Sequence, residues 1–151
     1  MSPLAFSPDY LAGMDSMERT PAFFNQWSQG RLPGLLGVDI IELAPGRLRA
    51  RLPVRPELLA PNGYLHAGTV VAFSDTCAGY GCITSLPEGA SSFTTIDLSS
   101  NFLGTARAGV ILAEALMRHG GRTTQVWDVT VTHEENNKVI ALFRCTQLLL
   151  K

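Results

Sequence analysis

One long apolar segment followed by segments of a different periodicity restricts the fold of this chain more than any other feature. Residues 66–85 form a nearly continuous apolar run, long enough for a helix of several turns, and a Leu-Pro-Glu-Gly sequence at 86–89 ends it. From residue 93 onward, apolar and polar residues alternate with a period of two, which is typical of half-buried strands. The sequence therefore predicts an antiparallel sheet packed on a single helix.

The predicted strands lie on both sides of this helix in the sequence. Residues 37–42 and 47–54 are expected to form a hairpin around the Ala-Pro-Gly at 44–46. Four more strands are expected at residues 93–102, 109–118, 122–133 and 139–149. In the first of these, Ile96, Leu98 and Phe102 alternate with polar residues. This order predicts an α+β layer architecture, in which the sheet covers one side of the helix and a partner subunit covers the other.

Two parts of unequal size are expected along the chain. Residues 1–33 are predicted to form an N-terminal helical extension, with Phe23, Phe24 and Trp27 at helical spacing, which serves as a lid or a brace. Residues 34–151 are predicted to form one domain. A chain of 151 residues is long enough to bury a core without disulfides or metals.

The composition argues against several classes of protein. A net charge of −1 with 17% charged residues, in no long run of one sign, argues against a nucleic-acid-binding protein. Without an apolar stretch of about 18 residues or a signal peptide, the chain is expected to be soluble and cytoplasmic, with no membrane partner. The three cysteines lie in apolar segments and are expected to be reduced core thiols. Three scattered histidines without ligand spacing predict no metal site.

Asp75 is the only charged residue in the apolar helix. An ionised carboxylate in apolar surroundings costs several kcal/mol unless it is paired or hydrogen-bonded. One explanation is a catalytic carboxylate, and the other is a buried Asp bonded to a neighbouring hydroxyl or backbone amide. One turn away on either side the residues are mostly small and would let a narrow ligand approach: Val71, Ala72, Ala78 and Gly79.

His66, at the start of the helix, cannot share a site with Asp75 within one chain. At about 100° and 1.5 Å per residue, the spacing between them places the two side chains on opposite sides of the helix and about 13 Å apart. If both act on one substrate, a second copy of the helix must supply one of them. A symmetric dimer with two equivalent sites is the simplest arrangement that does so.

The motif Gly-Tyr-Leu-His-Ala-Gly at residues 63–68, followed by Asp75, resembles the hot-dog-fold thioesterases, in particular the branch of the phenylacetate-pathway thioesterase and the aryl-CoA thioesterases. The resemblance runs from about residue 34 to the C-terminus and includes residues 95–98, 121–123 and 139–141. It implies a hot-dog fold and hydrolysis of an acyl-CoA thioester to the free acid and CoA. It also implies a homo-oligomer, either a dimer or a dimer of dimers, that needs no metal and no organic cofactor.

The resemblance assigns a catalytic carboxylate and an oxyanion donor to residues of this chain. Asp75 matches the catalytic carboxylate of the family, which either activates a water or attacks the thioester carbonyl itself. The oxyanion donor of the family is a backbone N–H at the helix N-terminus of the opposite subunit, and here it falls on Ala67 with Gly68 behind it. The family usually has glycine at the Ala67 position, but alanine keeps the N–H.

Three further residues are candidates with two readings each. Many family members carry Asn or Gln six residues before the histidine, where this chain has Ala60. Asn62 is therefore a candidate replacement or an ordinary Asn-Gly turn residue. His66 is an acid–base group or a helix cap. Thr95 matches a family Ser or Thr that positions the water, or it is a structural strand hydroxyl.

Coenzyme A carries phosphates, which arginine side chains and backbone turns hold at protein surfaces. Arg122 and Thr123 match a family segment at the pantetheine and nucleotide. Arg107, in the 104–109 loop, is a second candidate for CoA binding. The alternative for each of these arginines is a solvated surface charge.

The same fold would also suit a non-catalytic acyl-CoA sensor or a hydratase. A binding protein would lack the carboxylate that Asp75 supplies, and a hydratase would carry an Asp-x-Asn-Pro-x-His pattern, which does not occur in this sequence. A thioesterase is therefore the leading hypothesis, with these two as alternatives. The sequence leaves open whether the acyl group is aryl or aliphatic and whether CoA or acyl carrier protein bears it.

Overall fold

A six-stranded antiparallel sheet and one long helix make up most of the computed structural model, which describes residues 19–151. The elements are α1 Pro21–Trp27, α2 Leu32–Leu36, β1 Asp39–Ala44, β2 Arg47–Pro53, a 3-10 turn Pro56–Leu58, α3 Ala67–Thr84, β3 Ser92–Phe102, β4 Val110–Gly120, β5 Thr124–His133 and β6 Val139–Leu150. The strands lie in the order β1-β2-β4-β5-β6-β3. The predicted α+β class, its hairpin, its helix and its four later strands are confirmed.

Helix α3 contacts all six strands of the sheet, which curves around it. The close approach depends on small residues, because a Cβ at Gly81 would lie 2.7 Å from the ring of Trp127. Trp127 is fully buried. The thiols of Cys77, Cys82 and Cys145 are free and buried in the same core, as predicted.

Helix α1 packs against the outer part of this core. The ring of Phe24 is fully buried and stacks on Tyr80 of α3, with 4.6 Å between the ring centroids. The Asn25 side chain accepts a hydrogen bond from the backbone N–H of Ile40 at 2.8 Å and donates one to its carbonyl at 3.1 Å. Residues 1–18 of the predicted extension lie outside the described part. Between residues 19 and 151, no helix is long and apolar enough to cross a membrane.

Strand β3 forms an open edge of the sheet, and there strict alternation fails. Thr95 pairs with Gln147, whereas Asp97 pairs with Thr146, so Ile96 is an extra residue in a bulge. Leu98, opposite the buried Cys145, therefore lies on the same helix-facing side as Thr95. The predicted alternation through Ile96 was wrong at this point, because the register with β6 decides which way each residue faces.

The apolar residues of this edge are poorly covered. Ile96 is 55% exposed, Leu98 40% and Phe102 46%. An exposed, apolar edge strand is normally paired or covered in a stable protein, because its free N–H and C=O groups are a template for another strand. This edge thus has the properties of a surface that another chain occupies.

Candidate functional site

Asp75 projects from α3 toward β3 and is held there by one hydrogen bond. The hydroxyl of Thr95 donates to Asp75 Oδ1 at 3.0 Å. Burial raises the pKa of the Asp75 carboxyl, and the bond from Thr95 lowers it in part. Oδ2 has no hydrogen-bond partner among residues 19–151. A half-buried carboxylate with a raised pKa and one free oxygen is suited to accept a proton from water.

A glutamine that the sequence reading missed lies behind this pair. Gln147 of β6 is fully buried, and its amide oxygen lies 2.8 Å from Thr95 Oγ1. Its amide nitrogen lies 3.4 Å from Cys145 Sγ. The signal that could have found it is a polar residue on the inward face of an otherwise apolar strand, where Phe143, Cys145 and Leu149 are its buried neighbours.

The start of helix α3 carries an unused backbone donor. His66 is the N-cap, and its Nδ1 accepts a hydrogen bond from the N–H of Gly68 at 2.7 Å. The N–H of Ala67 has no acceptor within the described ranges. Because Gly68 is already engaged, Ala67 presents the free donor at the positive end of the helix.

His66 has the geometry of a cap in this chain. Since Nδ1 accepts a hydrogen bond, the proton of a neutral ring would be on Nε2. A Cβ at position 68 would lie 2.9 Å from His66 Nδ1, so the cap requires a glycine there. The His66 backbone N–H also donates to Leu58 O at 3.1 Å, which ties the helix start to the preceding loop.

Asn62 is engaged in a turn of that loop. Its side-chain oxygen accepts a hydrogen bond from the N–H of Tyr64 at 3.2 Å, and Gly63 between them has a φ of 86°. This is an Asx-type turn, in which the asparagine serves the local backbone. The turn places Tyr64 beside the helix start.

A cavity of about 450 Å³ opens next to the Ala67 donor. Its lining is mostly apolar: Tyr64, Leu65, Ala67, Val70, Phe102, Gly104 and Thr105. The guanidinium of Arg107 lies over the Tyr64 ring, 4.7 Å from its centroid. The cavity is in the size range of small-molecule sites. Arg107 is therefore brought to this cavity.

Arg122 and Thr123 lie at the other end of the sheet. They form the turn between β4 and β5, where Thr123 O accepts a hydrogen bond from the Leu149 N–H at 2.8 Å. Strand β4 separates this turn from the Arg107 loop by about 33 Å, at ~3.3 Å per residue. One chain does not bring Arg107 and Arg122 together.

The candidate residues fall into two groups. The carboxylate half-site consists of Asp75, Thr95, Gln147 and the Arg122 turn. The helix-start half-site consists of Ala67, its cavity and Arg107. Ala67 and Asp75 are eight positions apart on the helix, about 12 Å along the axis, which is too far for both to contact one thioester carbon.

Substitution of His66 distinguishes its two candidate roles, a helix cap and an acid–base group. We expect His66→Ala to lose about 1 kcal/mol of unfolding free energy, because the cap acceptor is removed. Asparagine is a good N-cap, so His66→Asn is expected to restore stability and to keep turnover within a few-fold of the wild type. Urea unfolding and steady-state kinetics measure both effects. A stable His66→Asn variant with turnover lowered a hundredfold would instead indicate acid–base chemistry.

The described residues contain no group of three or more His, Cys, Asp or Glu side chains placed to hold a metal ion. The charge of Asp75 affects the pKa of two thiols, those of Cys77 and Cys145. Burial first, and then the charge of Asp75, raises the pKa of both, that of Cys145 to about 12. Both thiols therefore stay protonated at neutral pH.

Comparison with known proteins places these residues in a described family. The sequence model of the thioesterase superfamily matches residues 62–140. The 1,4-dihydroxy-2-naphthoyl-CoA hydrolase of Listeria monocytogenes is 31% identical over 111 residues, 74% of this chain and 89% of that protein. Acyl-coenzyme A thioesterase PaaI of Escherichia coli is 32% identical over 110 residues, 72% of this chain and 75% of that protein. The crystal structure of a Haemophilus influenzae thioesterase has a TM-score of 0.81 and 29% identity, covering 87% of this chain and 91% of that one.

Proposed function

The chain belongs to the thioesterase superfamily and is a thioester hydrolase with a hot-dog fold, and we propose that its substrates are acyl-CoA thioesters. The observation that carries this proposal is a pair of unused groups on one helix. Within residues 19–151, Asp75 Oδ2 has no hydrogen-bond partner and can accept a proton, and the Ala67 N–H at the helix start has no acceptor. Hydrolysis of a thioester needs one of each, for the water and for the carbonyl oxygen.

The reaction can be written with these two groups. Asp75 Oδ2 takes a proton from water as the water oxygen attacks the thioester carbon, and the Ala67 N–H of the partner subunit stabilises the oxyanion. When the oxyanion collapses, the C–S bond breaks, the CoA sulfur takes up the proton and the acid is released. In the alternative route, Oδ2 itself attacks the thioester carbon and the C–S bond breaks, which releases the CoA thiolate. Water then hydrolyses the mixed anhydride to the acid and the free Asp75 carboxylate, and the proton released from water goes to the thiolate.

The smallest complete site in this proposal needs two subunits, and the open edge of β3 supports a dimer that meets there. An edge strand that pairs antiparallel with its own copy about a two-fold axis brings the start of each strand beside the end of the other. In β3, Thr95 lies near the start and Phe102, which lines the Ala67 cavity, forms the end. Such a dimer therefore joins the carboxylate half-site of one subunit to the helix-start half-site of its partner. Two such dimers are proposed to pair as a tetramer.

The proposed two-fold pairing also brings together the two arginines that lie far apart in one chain. Arg122 and Thr123 belong to the end of the sheet that carries Asp75, and Arg107 belongs to the end that carries Ala67. Across the proposed interface, these cations from two subunits approach one site and could hold the phosphates of a single CoA. The apolar cavity beside Ala67 would take an apolar part of the substrate.

A panel of thioesters tests this function. We expect aryl-CoA and medium-chain acyl-CoA substrates, compared with an acyl carrier protein thioester, to release free thiol with multiple turnovers. Rates are expected to be unchanged by a chelator, since water activation is assigned to Asp75. Binding without turnover across the panel would support a non-catalytic acyl-CoA binding protein instead. Activity that disappears with chelator and returns with a divalent ion would contradict the metal-free mechanism.

A further inference from the structure

The contacts around Thr95 cannot all be hydrogen bonds if the Gln147 amide oxygen faces the Thr95 hydroxyl. Thr95 Oγ1 lies 3.0 Å from Asp75 Oδ1 and 2.8 Å from Gln147 Oε1. Both neighbours are acceptors, and a hydroxyl has a single proton to donate. One of the two short contacts would then be repulsive, and because Gln147 is fully buried, bulk solvent does not reach the amide to replace the lost hydrogen bond.

Turning the amide end for end removes this conflict. The two ends of a glutamine amide have nearly the same size and shape, so the hydrogen-bond network decides which end faces which neighbour. The Gln147 Nε2–H then donates to Thr95 Oγ1, and the Thr95 proton is free to go to Asp75. At the other end, Gln147 Oε1 faces the Cys145 thiol, which is protonated and can donate to it.

We propose that Gln147 is a positioning residue of the thioesterase site, whose buried amide donates to Thr95 Oγ1 and so directs the Thr95 proton onto Asp75 Oδ1. The inference rests on the proposed function of Asp75. With Oδ1 occupied, Oδ2 is left as the proton acceptor for water. The chain of donors runs in one direction, from Cys145 through Gln147 and Thr95 to Asp75.

The direction of the Thr95 hydrogen bond matters because, within the described chain, no charged group packed around Asp75 stabilises its ionised form. On its own helix the nearest titratable group is the Cys77 thiol, and from β6 it is the Cys145 thiol, both neutral. The bond from Thr95, on β3, is the influence that lowers the pKa of Asp75 against the effect of burial. Without a donor from Gln147, the Thr95 hydroxyl is free to rotate, and its support for the ionised carboxylate weakens.

Gln125 is a matched control for Gln147. It is a second buried glutamine, it lies on the neighbouring strand β5, and it pairs directly with Gln147. Its amide donates to Ser85 O at 2.9 Å and accepts from Trp127 Nε1 at 2.8 Å. Loss of either glutamine should lower stability, but only Gln147 contacts Thr95.

The test compares Gln147→Met with Gln125→Met in the pH dependence of kcat and kcat/KM on the best CoA thioester. We expect Gln147→Met to lower kcat about tenfold with KM within about twofold, since a lost orientation acts in the chemical step. Its acid limb should move to higher pH, because the ionised form of Asp75 is less stabilised. Gln125→Met should keep the wild-type kcat and acid limb, whatever its melting temperature.

A second pair of variants decides the matter even if Gln147→Met does not fold. In Gln147→Glu, a protonated carboxyl can donate to Thr95, whereas the ionised form can only accept. We therefore expect activity that falls as pH rises, an alkaline limb absent from the wild type and from Gln125→Glu. A Gln147→Glu variant with the wild-type profile would overturn the proposal.

The outcomes separate this inference from the function on which it rests. If Asp75→Asn turns over like the wild type, the proposed function and the role of Gln147 are both overturned. If Asp75→Asn is inactive but Gln147→Met keeps the wild-type kcat and acid limb, only the role of Gln147 is overturned. The same holds if Gln125→Met shifts the acid limb equally, because the effect would then be a general one of core damage.

Discussion

Replacing Asp75 with asparagine is expected to lower turnover on the best thioester at least about a hundredfold, the usual scale for removing a general base. Asparagine keeps the size of the side chain and can still accept the Thr95 hydrogen bond that Oδ1 accepts now. It cannot take a proton from water or attack a carbonyl. Steady-state kinetics with thiol detection measure the effect, and near wild-type rates would exclude Asp75 as the acting group.

The same variant should not lose stability. Burial raises the pKa of Asp75 in the folded chain. A raised folded pKa stabilises the fold below the unfolded pKa, and this contribution is lost as pH rises through the folded value. Because neutral pH lies above the unfolded pKa, the Asp75 carboxyl is there a net cost to the fold, and the neutral amide should unfold at the same or a higher urea concentration. Asp97→Asn, an exposed carboxylate on the same strand as Thr95, is the control and should leave turnover unchanged.

Much of the fold could be predicted because it depends on local pattern. The apolar run at 66–85 became Ala67–Thr84, since Pro87 and Gly89 follow it and His66 caps its start. The bulge at Ile96 could not be predicted, because it arises from the pairing of β3 with β6 and leaves no mark in the alternation of β3 itself.

The candidate site was only partly accessible from the sequence. Asp75 stood out because a lone charge in an apolar helix is costly, and its contact with Thr95 joins two of the predicted residues. Gln147 did not stand out, since a single polar residue in a strand does not reveal which neighbours it meets. The separation of Arg107 from Arg122 follows from the length of β4 and the strand order. The functional roles of all these residues stay predictions.

Mixing two inactive variants is expected to restore activity, because each proposed site draws on two subunits. Ala67→Pro is the partner for Asp75→Asn, since proline has no N–H and thus removes the proposed oxyanion donor. Ala67 is the first residue of α3, a position at which proline fits a helix. His66 before it is already extended, with φ −65° and ψ 133°, as a residue preceding proline must be.

Ala67→Pro should therefore fold like the wild type, and Ala67→Ser, which keeps the N–H, is its matched control. The donor that proline removes has no acceptor in the part of the chain that the structure describes, so no bond of the fold is lost. We expect Ala67→Pro to lose about a hundredfold or more in turnover, the scale for removing an oxyanion donor. Ala67→Ser should stay close to the wild type.

In a heterodimer of the two variants, one site carries both substitutions and the other carries neither. With equal mixing and free exchange of subunits, about half of the dimers are mixed and each has one intact site, so the mixture should reach about a quarter of wild-type turnover. Neither variant alone should show this activity. Subunit exchange is verified by separating differently tagged subunits. If light scattering at assay concentration shows a monomer and that monomer is fully active, one chain completes the site by itself. In every mixed dimer, the two-fold pairing across β3 would bring the unsubstituted Asp75 of one subunit to the unsubstituted Ala67 of the other. If two folded variants demonstrably exchange subunits and the mixture still shows no activity, a site shared across β3 is contradicted.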